Sequence, residues 1–162
     1  METTYHISSS CVICKNNVYK NGQIIFSNNA EDFLFAVYKH FELNYARFYK
    51  MDSLSKLGWL CAEVLLQRDF KKENYKPSEI GLVFSNANSS LATDTRYMAS
   101  LQETPSPALF VYTLPNIVTG EICIRHGFKG ENAFFIFEKF NPEFLVDYVS
   151  VLLDKGLVQA CI

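Results

Sequence analysis

The stretch that most constrains this chain runs from Ser106 to Asn132, where breakers and caps bracket a single apolar helix pattern. Thr113 is placed to cap it. Pro115 falls just inside its first turn, where a missing N–H costs nothing because that amide has no intrahelical partner. Gly127 follows the last turn, where a left-handed residue is favoured. Beyond it, Ala133 to Phe140 reads as a strand, Asn141-Pro142-Glu143 opens another helix, Gly156 stops it, and Leu157 to Ile162 reads as a final strand. The second half of the chain is therefore expected to be β-α-β.

The first half carries compatible signals. Thr4 to Ile13 alternates loosely and reads as a strand, and Asn21-Gly22 lies between apolar runs as a tight hairpin turn. Asn29 is a candidate cap for a helix with Phe33, Val37 and Phe41 on one face, ending near Asn44. Asp52 or Ser53 caps a stronger helix, in which Leu54, Leu57, Gly58, Cys61 and Leu65 recur at steps of three and four, reaching about Gln67. Charged residues from Arg68 to Lys76 form a solvated connector. Ile80-Gly81-Leu82-Val83-Phe84 is an uninterrupted apolar run of the length expected for a buried strand, and Asn86 to Ser90 is polar loop. Strands that are apolar throughout, alternating with helices, favour an α/β fold in which helices cover a central sheet, made mixed by the early hairpin. No repeat or linker divides residues 1–162, which are expected to form one domain.

Composition narrows the partner classes. Hydrophobic residues make up 49% and aromatics 15%, with fourteen Phe and nine Tyr, so a large core or a buried partner surface is expected. The formal charge is -2 with basic residues scattered, so neither nucleic acid nor an anionic membrane surface is indicated. The first residues, Met1 to His6, lack a basic segment followed by an apolar one, and no apolar run approaches spanning length, so membrane insertion is not expected and the location is read as cytoplasmic. Five cysteines, Cys11, Cys14, Cys61, Cys123 and Cys161, are an odd number without a secretion signal, so reduced packing thiols are the simpler reading. Cys11 and Cys14 form a C-x-x-C pair but lack further ligands nearby, and no metal or cofactor is expected.

The stretch Ser106-Pro107, Leu114-Pro115-Asn116, Gly120, Ile122, Ile124, Gly127, Lys129-Gly130-Glu131-Asn132 resembles the β-ketoacyl synthase signature S-P, L-P-N, G, I, I, G, K-G-P-N in order and spacing, with Glu131 in place of proline. Upstream, Phe48 to Leu57 is similar to the family's R-x-M-D-x-x-S-x-L helix start. Downstream, Leu153 to Ile162 resembles its R-D-G-x-A-D-V-V-L-A segment. The resemblance covers roughly residues 48 to 162 and implies a thiolase-like fold, of which this chain carries the N-terminal half only.

Condensing chemistry needs a thiolate at a strand-to-helix turn, where the helix N-terminus lowers its pKa. In the family that cysteine lies about seven residues beyond the K-G-P-N loop, which here reaches Glu138 and Lys139, with no Cys, Ser or Thr. The resemblance thus gives no catalytic residue. Glu138 as a decarboxylation aid is the alternative to a solvated Glu-Lys surface pair, which is the simpler reading. The histidines that stabilise the family's oxyanion belong to its other half. His126 is instead suited to the negative end of its helix. The resemblance also implies a dimer strand, Phe134, Phe135, Ile136 and Phe137, and an acyl contact at Leu114 on the helix beginning there. The functional expectation is a non-catalytic ketosynthase-like partner or scaffold in fatty-acid, polyketide or aryl-polyene assembly, as a homodimer or paired with a full-length ketosynthase, with acyl carrier protein as a further partner. The alternative is an enzyme of altered type binding a carrier-protein-linked or coenzyme A-linked acyl chain.

Overall fold

The computed structural model describes residues 4–67 and 70–162. Three short strands, β1 (Cys11–Cys14), β2 (Asn17–Lys20) and β3 (Gln23–Ser27), form an antiparallel meander. Both of its turns are two residues long with positive φ throughout, Lys15-Asn16 and Asn21-Gly22, the geometry that matches the twist of adjoining strands. The Asn21-Gly22 turn is as the sequence implies. The expected strand from Thr4 is shorter than read, because the chain is hydrogen-bonded as a strand only from Cys11.

Helix α1 (Phe33–His40) is capped by Asp32, whose carboxylate accepts from the Phe35 amide at 3.0 Å, so the cap is three residues later than Asn29. Helix α2 (Ser53–Leu66) is capped by Asp52, whose two oxygens take the Ser55 amide at 2.9 Å and the Thr93 hydroxyl at 2.8 Å. Part of the expected connector, Arg68 and Asp69, lies outside the described residues; its remainder holds a single 3₁₀ turn, Lys72–Asn74.

The second sheet is parallel and runs β5-β4-β6, with β4 (Ile80–Asn86) in the middle, β5 (Asn132–Ile136) on one side and β6 (Ala160–Cys161) on the other. Antiparallel and parallel pairings are thus both present, divided between two sheets. Helices α3 (Leu91–Ser100), α4 (Pro107–Val111) and α5 (Ile117–His126) connect β4 to β5, and α6 (Pro142–Asp154) connects β5 to β6. The α3 helix lies in a segment read only as loop up to Ser90 and then unassigned; its apolar residues Leu91 and Met98 are exposed, so it carries no core-facing stripe for the sequence to display. The α5 helix starts at Ile117 rather than Leu114. The Thr113 hydroxyl donates back to Phe110 O at 2.7 Å and closes the preceding turn instead of capping α5. Gly127 does end the helix, with φ +76° and its amide on Cys123 O at 2.8 Å. The expected strand to Phe140 stops at Ile136, since only Phe137 extends the pairing, through its amide to Asn86 O.

One buried cluster joins the layers. Ile80, Leu82 and the half-buried Phe84 and Phe134 face α2 and α5, while Phe135 meets Phe144 and Tyr148 of α6 on the opposite face, at ring-centroid distances of 4.9 and 5.0 Å. The other face of α2 supports the meander and α1 through an aromatic stack: Tyr38 on Phe48 at 4.1 Å, Trp59 beside both, and Tyr45 parallel to Trp59 at 5.2 Å. Offset and tilted ring contacts of this kind add about 0.5–1.5 kcal/mol each beyond their burial. No helix among the described residues is long and apolar enough to cross a membrane.

Two glycines permit the closest approaches. A Cβ on Gly58 of α2 would stand 2.9 Å from Val118 Cγ2 of α5, and one on Gly130 would stand 2.3 Å from the Ile80 carbonyl oxygen. The second obstacle is backbone at the start of the central strand, which cannot move without disturbing Leu82 N to Glu131 O and Lys129 N to Pro77 O, at 2.9 and 2.7 Å. Gly130→Ala is therefore expected to lower stability by about 2–4 kcal/mol, whereas Gly120→Ala, with open space around its Cβ, is expected to be neutral or slightly stabilising. Urea denaturation of both variants checks this pair.

Candidate functional site

Residues 137–141, Phe-Glu-Lys-Phe-Asn, form the strand-to-helix turn between β5 and α6. Glu138 and Lys139 are exposed, as a solvated pair requires, and Phe140 is 76% exposed. The α6 N-terminus is closed by Asn141, whose side-chain oxygen accepts from the Phe144 amide at 3.1 Å, with Pro142 filling the first helical position. The helix end that would activate a nucleophile is thus occupied by an ordinary cap. The turn holds no Cys, Ser or Thr.

The proposed dimer-strand residues divide by face. Phe134 packs toward α2 and α5, and Phe135 and Phe137 pack on Phe144 of α6. Ile136 is 52% exposed, and β5 has only β4 as a neighbour among the described residues. Leu114 lies in the turn before α5 and is 51% exposed, with Phe110 and Val111 of α4 also exposed nearby in sequence. Two shallow clefts, of about 450 and 200 Å³, are bordered by His40, Phe41, Glu42 and Gln67, and by Glu63, Gln67, His126 and Phe128. The second reaches the C-terminal end of α5, whereas Leu114 precedes its N-terminal end.

The densest polar cluster is one the sequence reading missed. Glu121 of α5, nearly buried, accepts from the Tyr45 hydroxyl at 2.7 Å and the Tyr112 hydroxyl at 3.5 Å, with Arg47 Nη1 3.7 Å away. Glu63 of α2, also buried, meets His126 Nε2 at 2.7 Å and Arg125 Nε at 3.4 Å. Arg125 links the two groups, donating to Asn44 O at 3.0 Å and lying over the Tyr45 ring. His126 thus has a carboxylate partner besides the helix end to which the sequence assigned it. The available signal was a lone acid inside an apolar helix stripe: Glu63 follows Leu60 and Ala62, and Glu121 sits between Val118 and Ile122, four residues before Arg125.

Burial, followed by the hydrogen bond to Glu121, pushes the Tyr45 hydroxyl up to about 12, against the pull of Arg47 and Arg125. Burial and the charges of Glu121 and Asp52 push Tyr112 likewise to about 12. The cluster's groups satisfy one another, so it clamps the 44–48 segment and α5 to α2. It offers no unpaired acid or base aimed at a cleft. Cys11 and Cys14 alternate on β1, the first facing the core and the second exposed, so this C-x-x-C pair does not converge on one ligand.

No protein-family model matches the chain. No curated protein matches it either. Among solved structures it is similar to a chain of the complex of the ketosynthase ApeO with its chain length factor ApeC from Xenorhabdus doucetiae, with a TM-score of 0.55 and 13% identity, covering 93% of this chain and 61% of that one. The chain therefore spans about three fifths of that neighbour's length. At this identity the likeness is one of fold, and it places the mixed α/β architecture with that of a thiolase-like half.

The raised tyrosines set an alkaline limit. An acid whose folded pKa lies above its unfolded value of 10.0 keeps its proton longer when folded, so its contribution is complete below about pH 10 and is lost as pH rises toward 12. Thermal unfolding followed from pH 8 to 11 is expected to show a steeper fall in wild type than in Tyr45→Phe (pH values about those at which tyrosine begins to ionise). Equal slopes would remove Tyr45 from the account.

Proposed function

We propose that residues 1–162 act as a single ketosynthase-like domain that performs no condensation itself and pairs, in the cytoplasm, with a full-length ketosynthase in fatty-acid, polyketide or aryl-polyene assembly. The observation that carries this reading is β5, whose outer edge has no strand beside it among the described residues and which is followed by an Asn-capped turn that holds no Cys, Ser or Thr. An edge strand presents unpaired amides and carbonyls, and natural proteins shield such edges or use them for pairing. With Ile136 exposed beside it, antiparallel addition of a partner strand is the pairing we assign, the pair extending the parallel sheet of both chains. The neighbour's occurrence in a complex of a ketosynthase with its chain length factor supports a heterodimer over a homodimer.

In this reading Leu114 contributes an apolar contact to the acyl chain held by the paired enzyme, and an acyl carrier protein reaches the complex through that enzyme. The rival reading, an acyl-thioester enzyme of altered type, requires turnover or acylation by this chain alone. Mass spectrometry after incubation with acyl-carrier-protein thioesters is expected to show neither, and stable acylation would overturn the non-catalytic role.

Ile136→Lys tests the edge. A charge there is expected to abolish co-purification with a ketosynthase while changing stability by no more than about 0.5 kcal/mol, because the side chain is exposed. Retained pairing would displace β5 from the interface, and recovery of wild type from its native cell as a tight monomer free of ketosynthase would end the pairing proposal.

A further inference from the structure

Helix α6 is more apolar than its surroundings account for. Apart from Glu143, Asp147, Ser150 and Asp154, each of its thirteen residues is apolar or aromatic, yet Leu152 is the only one buried. A helix apolar around most of its circumference is ordinarily enclosed on more than one side. On the side of β5 its cover is the rings of Phe135 and Phe137, which stand 4.9 and 5.2 Å from that of Phe144. Tyr148 completes this group, 5.0 Å from Phe135 and 6.1 Å from Phe144, and none of the four rings is buried. Phe144, Tyr148 and Val151 follow at steps of four and three and so form one stripe along the helix. Phe144 is 38% and Val151 49% exposed, and Phe140, in the turn leading into the helix, is 76% exposed.

The four polar residues recur at steps of four, three and four, which sets them in a second stripe beside the first. Asp154 accepts from the Tyr5 hydroxyl at 2.6 Å, whereas no ion pair reaches the exposed Glu143 or Asp147 among the described residues. No Lys or Arg occurs within the helix, and Lys155 follows only past its end. Two copies of α6 laid together would set acids against acids, and a phosphate backbone or an anionic bilayer would meet the same repulsion. We infer that this face of α6 is a docking surface for an amphipathic helix of a partner protein, one whose apolar row is flanked by lysine or arginine. The apolar row seats over Phe144 and Val151, and the cationic side chains reach Glu143 and Asp147. Thirteen residues make a helix about 20 Å long, enough to engage anchors spaced over two turns. The apolar contacts supply affinity, and the acids choose the partner and its orientation. Neighbouring strand residues point to opposite sides, so this face lies across the sheet from Ile136 and stands apart from pairing at the β5 edge.

Fluorescence anisotropy on the full chain tests the surface, with a labelled helical probe of about fourteen residues that repeats leucine at steps of four and three with lysine beside it. The reference probe has glutamate at every lysine. The lysine probe is expected to bind about tenfold more tightly at about 50 mM salt, and the margin to close at about 500 mM, where exposed charges are screened. Val151→Ser is expected to weaken the lysine probe about tenfold, and Asp147→Lys to transfer the preference to the glutamate probe, neither lowering the Tm because both side chains are exposed. Ile136→Lys, which alters the opposite face of the sheet, is expected to leave probe binding unchanged, so this surface and the ketosynthase pairing fail separately. Equal binding of the two probes, or wild-type binding by Val151→Ser, would overturn the docking surface, and a concentration-dependent dimer that excludes the probe would replace the partner helix with a second copy.

Discussion

Two carboxylates held in the apolar seam between α2 and α5 set the terms for the rest of the molecule. Leaving Glu63 or Glu121 unpaired there would cost several kcal/mol, and each is instead surrounded by groups from outside its own helix. Tyr45 and Arg47 come from the segment after α1, Tyr112 from the end of α4, and Arg125 and His126 from the last turn of α5. Satisfying the two acids therefore fixes how the segment after α1 and the ends of α4 and α5 must sit against one another. The close approach at Gly58 and Val118 places α5 against α2, and Phe84 of the central strand lies beneath both.

The sequence displayed those features whose signals are local. The Asn21-Gly22 turn, the Asp52 and Asn141 caps and the Gly127 stop each depend on the chemistry of a few consecutive residues, and each is found in place. The α/β class followed from the apolar run at Ile80 to Phe84. By contrast, α3 has a single buried residue, Thr93, and its position depends on a hydroxyl reaching Asp52 across forty-one residues, which no periodicity encodes. Thr113 looked like a cap because its type is right, but α5 begins only at Ile117, and the Thr113 hydroxyl donates to Phe110 O in the turn before it.

The same contrast holds at the candidate site. Counting along the chain from the K-G loop leads to Glu138 and Lys139, and the structure places both on the exposed turn between β5 and α6. That β5 lies at a sheet edge was not readable, since strand order is decided by which crossover packs where. Nor was the carboxylate cluster, whose members are spread from Tyr45 to His126 and meet only when two helices cross one sheet.

The division into two sheets also has a temporal side. The meander closes through two-residue turns and packs on α1 and α2, so this part can begin to assemble from local contacts as the chain is made, before the later helix α5 supplies the partners of Glu63. The central strand β4 emerges next but finds its two partners only after β5 and then β6 have been synthesised, the latter eighty residues later in the register Ile80 to Ala160. Until then its apolar face has one surface to rest on, the side of α2 that Phe84 meets. The early module thus serves the late one as a template, sheltering an adhesive strand through the interval in which it would otherwise be free to aggregate.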